Sequence, residues 1–130
     1  METISILIAD SSEEFRSTLT NALQGNYRIF SCRSGKEALD FTLETPPDIL
    51  ILDLMLPELD GISLLQLIFA SGIRPLVLAT TKLYNDYVVD ATVKLGVEYL
   101  MIKPCDIRAI VGRVKDLSNS LSKPILSAPD

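Results

Sequence analysis

Ile49-Leu50-Ile51-Leu52-Asp53 is the stretch that decides the fold, and Leu54-Met55-Leu56-Pro57-Glu58-Leu59-Asp60-Gly61 follows at once. Pro46-Pro47 stands before it. A short apolar run bounded in this way reads as a strand buried on both faces. A carboxylate at its C-terminal end costs several kcal/mol unless it is paired. In open α/β sheets that end of a strand faces the crevice where ligands sit. Asp53 therefore reads as a reactive or ligand-binding aspartate.

Similar units lie on either side. Ile4–Ala9 reads as a first strand. Ser11-Ser12 can cap a helix with Glu13 and Glu14 in its first turn, where the helix dipole favours acids. Phe15, Leu19, Ala22 and Leu23 would form its apolar stripe, and Gly25-Asn26 would stop it. Tyr27–Cys32 alternates like a strand. Gly35–Glu44 reads as a helix turning Ala38, Leu39 and Leu43 inward. Gly61–Ser71 is a strongly apolar helix, and Leu76–Thr80 a fourth strand. A helix over Asn85–Leu95 ends at Gly96, Tyr99–Ile102 is a short fifth strand, and Ile107–Leu117 the last helix. Tyr87, Val88, Val89 and Val93, with Ile107, Ile110, Val111 and Val114, would mostly serve the core.

Five strands, each followed by a helix, imply a parallel sheet covered on both faces by right-handed crossovers. The simplest fit is α/β, flavodoxin-like (βα)5, doubly wound, with strand order 2-1-3-4-5. The domain is expected over residues 1–117. Residues 118–130 hold Ser, Pro and Asn with little periodicity and read as a C-terminal tail or the start of a linker.

Composition excludes several functions. A chain of 130 residues that is 48% hydrophobic can build a core without metal or disulfide help. A net charge of −5 argues against direct nucleic-acid binding by this segment. No apolar run reaches the roughly 18 residues of a membrane span. Met1-Glu2-Thr3-Ile4-Ser5 lacks the basic start of a signal peptide, so a cytoplasmic protein is expected. There Cys32 and Cys105 would be free thiols. The absence of histidine excludes Ser-His-Asp and Cys-His catalysis.

On the expected strand order, Asp10 and Asp53 end neighbouring strands and Lys103 ends the fifth. Two carboxylates, a backbone carbonyl and water suit a weak Mg²⁺ site. Asp53 would act as nucleophile toward a phosphoryl group. Lys103 would supply a fixed positive charge, and Thr80 or Thr81 a hydrogen-bond donor.

The chain resembles the receiver domain of two-component response regulators from about Ile4 to Leu117. The landmarks are Ile8-Ala9-Asp10, Pro47-Asp48-Ile49-Leu50-Ile51-Leu52-Asp53-Leu54-Met55-Leu56-Pro57, Leu59-Asp60-Gly61, and Lys103-Pro104 followed by Asp106. From the general run of the sequence, it looks most like the receiver of sporulation-type transcription regulators. The resemblance implies phosphoryl transfer from a sensor histidine kinase or a phosphotransfer protein onto Asp53. It implies Mg²⁺ on Asp10, Asp53 and the Met55 carbonyl, and a cis bond before Pro104. It also implies a shift of the face made by the fourth helix, fifth strand and fifth helix. That shift would change homodimerisation or partner binding, usually to control transcription. Catalysis would be limited to the domain's own phosphorylation and dephosphorylation. DNA contact would come only through an effector domain not present in this chain.

Three positions depart from the family pattern. Ser11 stands where a second acid is usual, which predicts weaker Mg²⁺ binding unless Glu13 or Glu58 reaches in. Counting back from Lys103 makes Thr81 the switch hydroxyl and puts Lys82 where a small residue is usual; counting from the apolar run favours Thr80. Lys82 would then attract the phosphoryl group, plug the acidic pocket or point to water. Leu100 occupies the aromatic switch position, and the adjacent Tyr99 should point the other way.

These departures motivate a second reading, a phosphorylation-independent pseudo-receiver used for dimerisation or protein binding. A third, a flavodoxin-like nucleotide binder, needs a Gly-rich loop after the first strand. Asp10-Ser11-Ser12-Glu13-Glu14 is acidic and would repel phosphate.

Overall fold

The computed structural model describes residues 3–127, with side chains as far as Leu121. Five strands, β1 (Ser5–Ala9), β2 (Arg28–Cys32), β3 (Ile49–Asp53), β4 (Leu76–Thr81) and β5 (Tyr99–Ile102), form one parallel sheet in the order β2-β1-β3-β4-β5. Helices α1 (Glu13–Leu23), α2 (Gly35–Glu44), α3 (Gly61–Ala70), α4 (Asp86–Leu95) and α5 (Ile107–Ser127) follow the strands in turn. This is the expected flavodoxin-like fold.

Alternation along the strands divides the core in two. Leu7, Ala9, Leu50, Leu52, Val77 and Ala79 pack with α2, α3 and α4. Ile6, Ile8, Ile49, Ile51 and Leu78 pack with Leu19 and Leu23 of α1 and with Ile110, Val114 and Leu117 of α5. Each fully buried aliphatic side chain contributes roughly 1.5–3 kcal/mol. Because both faces are covered, the strands read as unbroken apolar runs.

Caps fix where three of the helices begin. Ser12, Ser34 and Asn85 accept from the backbone amides of Phe15, Glu37 and Val88. The loop after β3 closes tightly on α3. The Gly61 amide donates to the Leu54 carbonyl at 3.0 Å, and a Cβ at Gly61 would come within 2.7 Å of the Leu54 Cα. Only glycine permits that approach.

Five expectations need correction. Leu43 and Ala22 are exposed, because α2 turns Ala38 and Thr42 inward and α1 turns Leu19 and Leu23 inward. Tyr87 and Val93 are each 71% exposed. Val88 and Thr92, one turn apart, occupy the buried stripe of α4, and a step of about 100° per residue carries their outer neighbours to the surface. Finally, α5 continues past Leu117 to Ser127. Leu117 is buried and Leu121 packs on the same cluster, so a helical apolar spacing crosses the expected end. Of the segment read as a tail, residues 128–130 lie outside the described residues, as do Met1 and Glu2.

Candidate functional site

β1 and β3 run in register from Ile6↔Ile49 to Ala9↔Leu52, so Asp10 and Asp53 end side by side at the C-terminal rim. Both are buried. Lys103, just beyond β5, reaches across from its strand end. Its Nζ lies 2.5 Å from Asp10 Oδ2 and 3.2 Å from Asp53 Oδ2. The Lys103–Pro104 bond is cis.

The remaining carboxylate oxygens are also held. Asp10 Oδ1 accepts from the Ser12 amide at 2.8 Å, and Asp53 Oδ1 accepts from the Met55 amide at 2.9 Å. Every carboxylate oxygen thus has a donor, which is what buried charge demands. The Lys103 ammonium also sits 4.4 Å from the centre of the Phe15 ring. Burial alone would lower its pKa. The hydrogen bond to Asp10 and the charges of Asp53 and Asp10 outweigh that penalty and raise it above the ordinary lysine value.

At the end of β4, Thr81 is fully buried and tied to the following loop. Its hydroxyl donates to the Leu83 carbonyl and accepts from the Leu83 amide, both at 3.0 Å. Thr80 pairs in register with Asp53. Its buried hydroxyl has no hydrogen-bond partner among the described residues.

Ser11 is exposed. Glu13 lines a separate cavity with Arg16 and Ser31, and Glu58, in a left-handed turn at φ 71°, points to solvent. No group of three or more His, Cys, Asp or Glu that could hold a metal occurs among the described residues. The hard oxygens of Asp10, Asp53 and the Met55 carbonyl still fit Mg²⁺ in kind, with two charges and a competing ammonium. Lys82 is exposed and, with Lys103, Ser12, Phe15, Cys105 and Ile107, lines a cavity of about 720 Å³ beside the carboxylates. Tyr99 and Leu100 take opposite faces of the sheet. Tyr99 packs on the α1–α5 side, under the Arg113 guanidinium, while Leu100 packs on the α2–α4 side. Both cysteines are free thiols, and burial followed by Glu37 pushes Cys32 up to about 11.

Two contributors escaped the sequence reading. The sequence pattern places Phe15 only on the α1 stripe, yet it covers Lys103. Arg16 donates to the Asp10 backbone carbonyl at 2.7 Å and fixes the loop that carries this aspartate. Only the i+5 and i+6 spacing from Asp10, one helical entry away, hinted at either.

A family model for the response regulator receiver domain matches residues 6–115. Among solved structures, the receiver domain of a Francisella response regulator is 25% identical, with a TM-score of 0.83 over 91% of this chain and 98% of that one. A DNA-binding response regulator of the LuxR family from Staphylococcus aureus is 21% identical, with a TM-score of 0.81 over 89% of this chain and 99% of that one. The response regulator DrrB of Thermotoga maritima, an OmpR/PhoB homologue, is 22% identical with a TM-score of 0.81; the match covers 95% of this chain and 54% of that one. No helix among the described residues is long and apolar enough to cross a membrane.

Proposed function

Because the chain belongs to the receiver domain family of two-component response regulators, we propose that Asp53 accepts a phosphoryl group from a sensor histidine kinase or a phosphotransfer protein. The observation that carries this reading is the convergence of Asp10, Asp53 and Lys103, from three strand ends, within 3.2 Å of one ammonium nitrogen. An Asp53 carboxylate oxygen attacks the phosphorus of the donor's phosphohistidine. The P–N bond breaks, and its electron pair stays on the imidazole nitrogen. Lys103 meets the charge on the phosphoryl oxygens. It is already held by two carboxylates and an aromatic ring, so little reorganisation is needed.

Receiver domains generally use Mg²⁺ for this reaction. In this chain Asp10, Asp53 and the Met55 carbonyl would hold it, and its charge would offset the repulsion between the carboxylates and the incoming phosphoryl group. With Ser11 in place of an acid, that binding is weaker. The output is a change at the α4-β5-α5 face that alters homodimerisation or effector activity, in the cytoplasm. DNA contact would come through a separate effector domain, not through this acidic domain. Leu100 offers no rotating ring, so the readout relies on α4 and its preceding loop.

A second reading is supported by one observation. Lys103 already bridges both acids, so its ammonium stands where a bound cation would otherwise support them. Such a domain would act as a pseudo-receiver, binding partners without phosphorylation.

Purified protein incubated with Mg²⁺ and acetyl phosphate should gain one phosphoryl group by intact mass, and Asp53→Asn should gain none. A folded wild type that stays unmodified, while the donor labels another receiver, would sink the first reading and leave the second.

A further inference from the structure

Asp10, Ser12, Phe15 and Lys103 form a closed ring of contacts. The Ser12 amide donates to Asp10 Oδ1 at 2.8 Å, and the Ser12 hydroxyl accepts from the Phe15 amide at 3.1 Å. The Phe15 ring centre lies 4.4 Å from the Lys103 ammonium, which donates back to Asp10 Oδ2 and to Asp53 Oδ2. The start of α1 therefore places both an acid and an aromatic ring against one cation. Three other cations lie over rings among the described residues: Arg28 over Phe30, Arg74 over Phe69 and Arg113 over Tyr99. All three are exposed, whereas the Lys103 side chain is only 10% exposed. A desolvated cation gains more from a ring face than a hydrated one. Packing against the α1–α5 core asks only for an apolar side chain at this position, and leucine would serve.

Resting on the phosphoacceptor reading, we infer that Phe15 is a positioning residue for Lys103, its ring face carrying the ammonium as that group passes from Asp53 to the incoming phosphoryl oxygens. An ammonium has three N–H donors, and the two carboxylates take two of them. When Asp53 bonds to phosphorus, negative charge lies further out on the phosphoryl oxygens, and Lys103 must follow it. Hydrogen bonds to fixed carboxylate oxygens are lost in such a shift, because they weaken steeply with distance and angle. A ring face is more tolerant, since its attraction reaches to about 6 Å from the centroid. From 4.4 Å the ammonium can slide by about an ångström and keep that contact. The open side matters too. Phe15, Lys103, Pro104, Cys105 and Ile107 line the cavity of about 720 Å³, into which an unsupported lysine would swing and hydrate. The ring is thus a small share of the ammonium's support at rest and a large share once Asp53 is engaged. A contact of that kind raises a rate rather than a stability.

Fluorination tests the ring's electrostatics at nearly constant shape, because each fluorine drains the negative face that attracts the cation. Singly, doubly and triply ring-fluorinated phenylalanine should replace Phe15 in the intact chain, with Phe15→Leu alongside. The same series at Phe69, whose ring centre lies 4.3 Å from the Arg74 guanidinium, is the control. The readouts are the thermal midpoint without phosphodonor and the rate of acetyl phosphate labelling by intact mass. With fluorine at Phe15 the rate should fall stepwise, by about three- to tenfold for the triply fluorinated ring, the size of one desolvated cation–ring contact. Phe15→Leu should label at least as slowly, the midpoint should stay level along the fluorine series, and the Phe69 series should label at the wild-type rate. A flat rate along the Phe15 series overturns the inference even if Phe15→Leu is slow, because the ring then only packs. So does a rate that follows the midpoint rather than the fluorine count, or an equal slowing in the Phe69 series. If the wild type itself takes no label, the phosphoacceptor reading falls, and this inference with it; a labelled wild type beside a flat Phe15 series overturns the inference alone.

Discussion

The rim of the sheet and the outer face of α4 invert the usual rule in opposite directions. At the rim, Asp10, Asp53 and Lys103 are charged and buried. On and around α4, Leu83, Tyr84, Tyr87, Val93 and Ile102 are apolar or aromatic and about half exposed or more. Soluble domains ordinarily bury the second kind and expose the first. Each inversion has a cost in the isolated chain. Buried charge needs a complete set of partners, and an apolar surface patch invites association. The rim has its partners inside the fold. The α4 face has none within the described residues, which is why we read the first as a reaction site and the second as a contact surface.

The contrast breaks most visibly at Lys103. In Lys103→Met two buried carboxylates are left facing each other without a cation, and urea unfolding should register a loss of about 3–5 kcal/mol. Adding Asp53→Asn should recover part of it, since one charge and the repulsion go together. A loss under about 0.5 kcal/mol would mean that the ammonium does not support the two carboxylates.

The pH dependence isolates the same ion pairs. The folded-state pKa of Lys103 is raised above 10.5. Its stabilising contribution is therefore complete below the unfolded value and disappears as pH climbs through the folded one. The stability gap between wild type and Lys103→Met should narrow over that alkaline range and stay constant near neutrality. A gap that persists at high pH would point to packing rather than charge.

Ser11→Asp sharpens the comparison by adding a third acid to the rim. Mg²⁺ affinity, followed by NMR titration, should rise about tenfold, near 1.4 kcal/mol. Unchanged affinity would mean that this position does not face the cation.

The smallest effect on folding is expected on α4. Tyr87→Ser with Val93→Ser should change stability by no more than about 0.5 kcal/mol, as exposed positions do. Sedimentation should nonetheless detect weaker self-association of the phosphorylated domain. Equal association would remove α4 from the contact surface.

Much of this was legible before any coordinates. Ile49–Asp53 showed a buried strand because a parallel sheet covered on both faces leaves no polar alternation. Gly35–Glu44 and Tyr99–Ile102 could be bounded to the residue because caps and turn residues flank them. The errors fell where local pattern is ambiguous. Leu43 and Val93 are apolar and helical, but each lies one step off its helix's buried stripe, and the angle of packing sets which step is buried. The length of α5 was missed because Leu117 and Leu121 keep the helical spacing through a run of serines that looks like a tail.

For the site, strand order and strand-end position alone brought Asp10, Asp53 and Lys103 together, since parallel strands in register place their last residues on one rim. Sequence could not say that one ammonium binds both acids, that Phe15 covers it, or that Thr81 is committed to a loop while Thr80 is not. Those facts depend on side-chain directions and on contacts between residues distant in the chain. The sequence determined the elements, their order and the kinds of chemistry available, because periodicity and capping are local. The tertiary structure decided which groups are paired and which are left free, because hydrogen-bond satisfaction in a buried site depends on every neighbour at once.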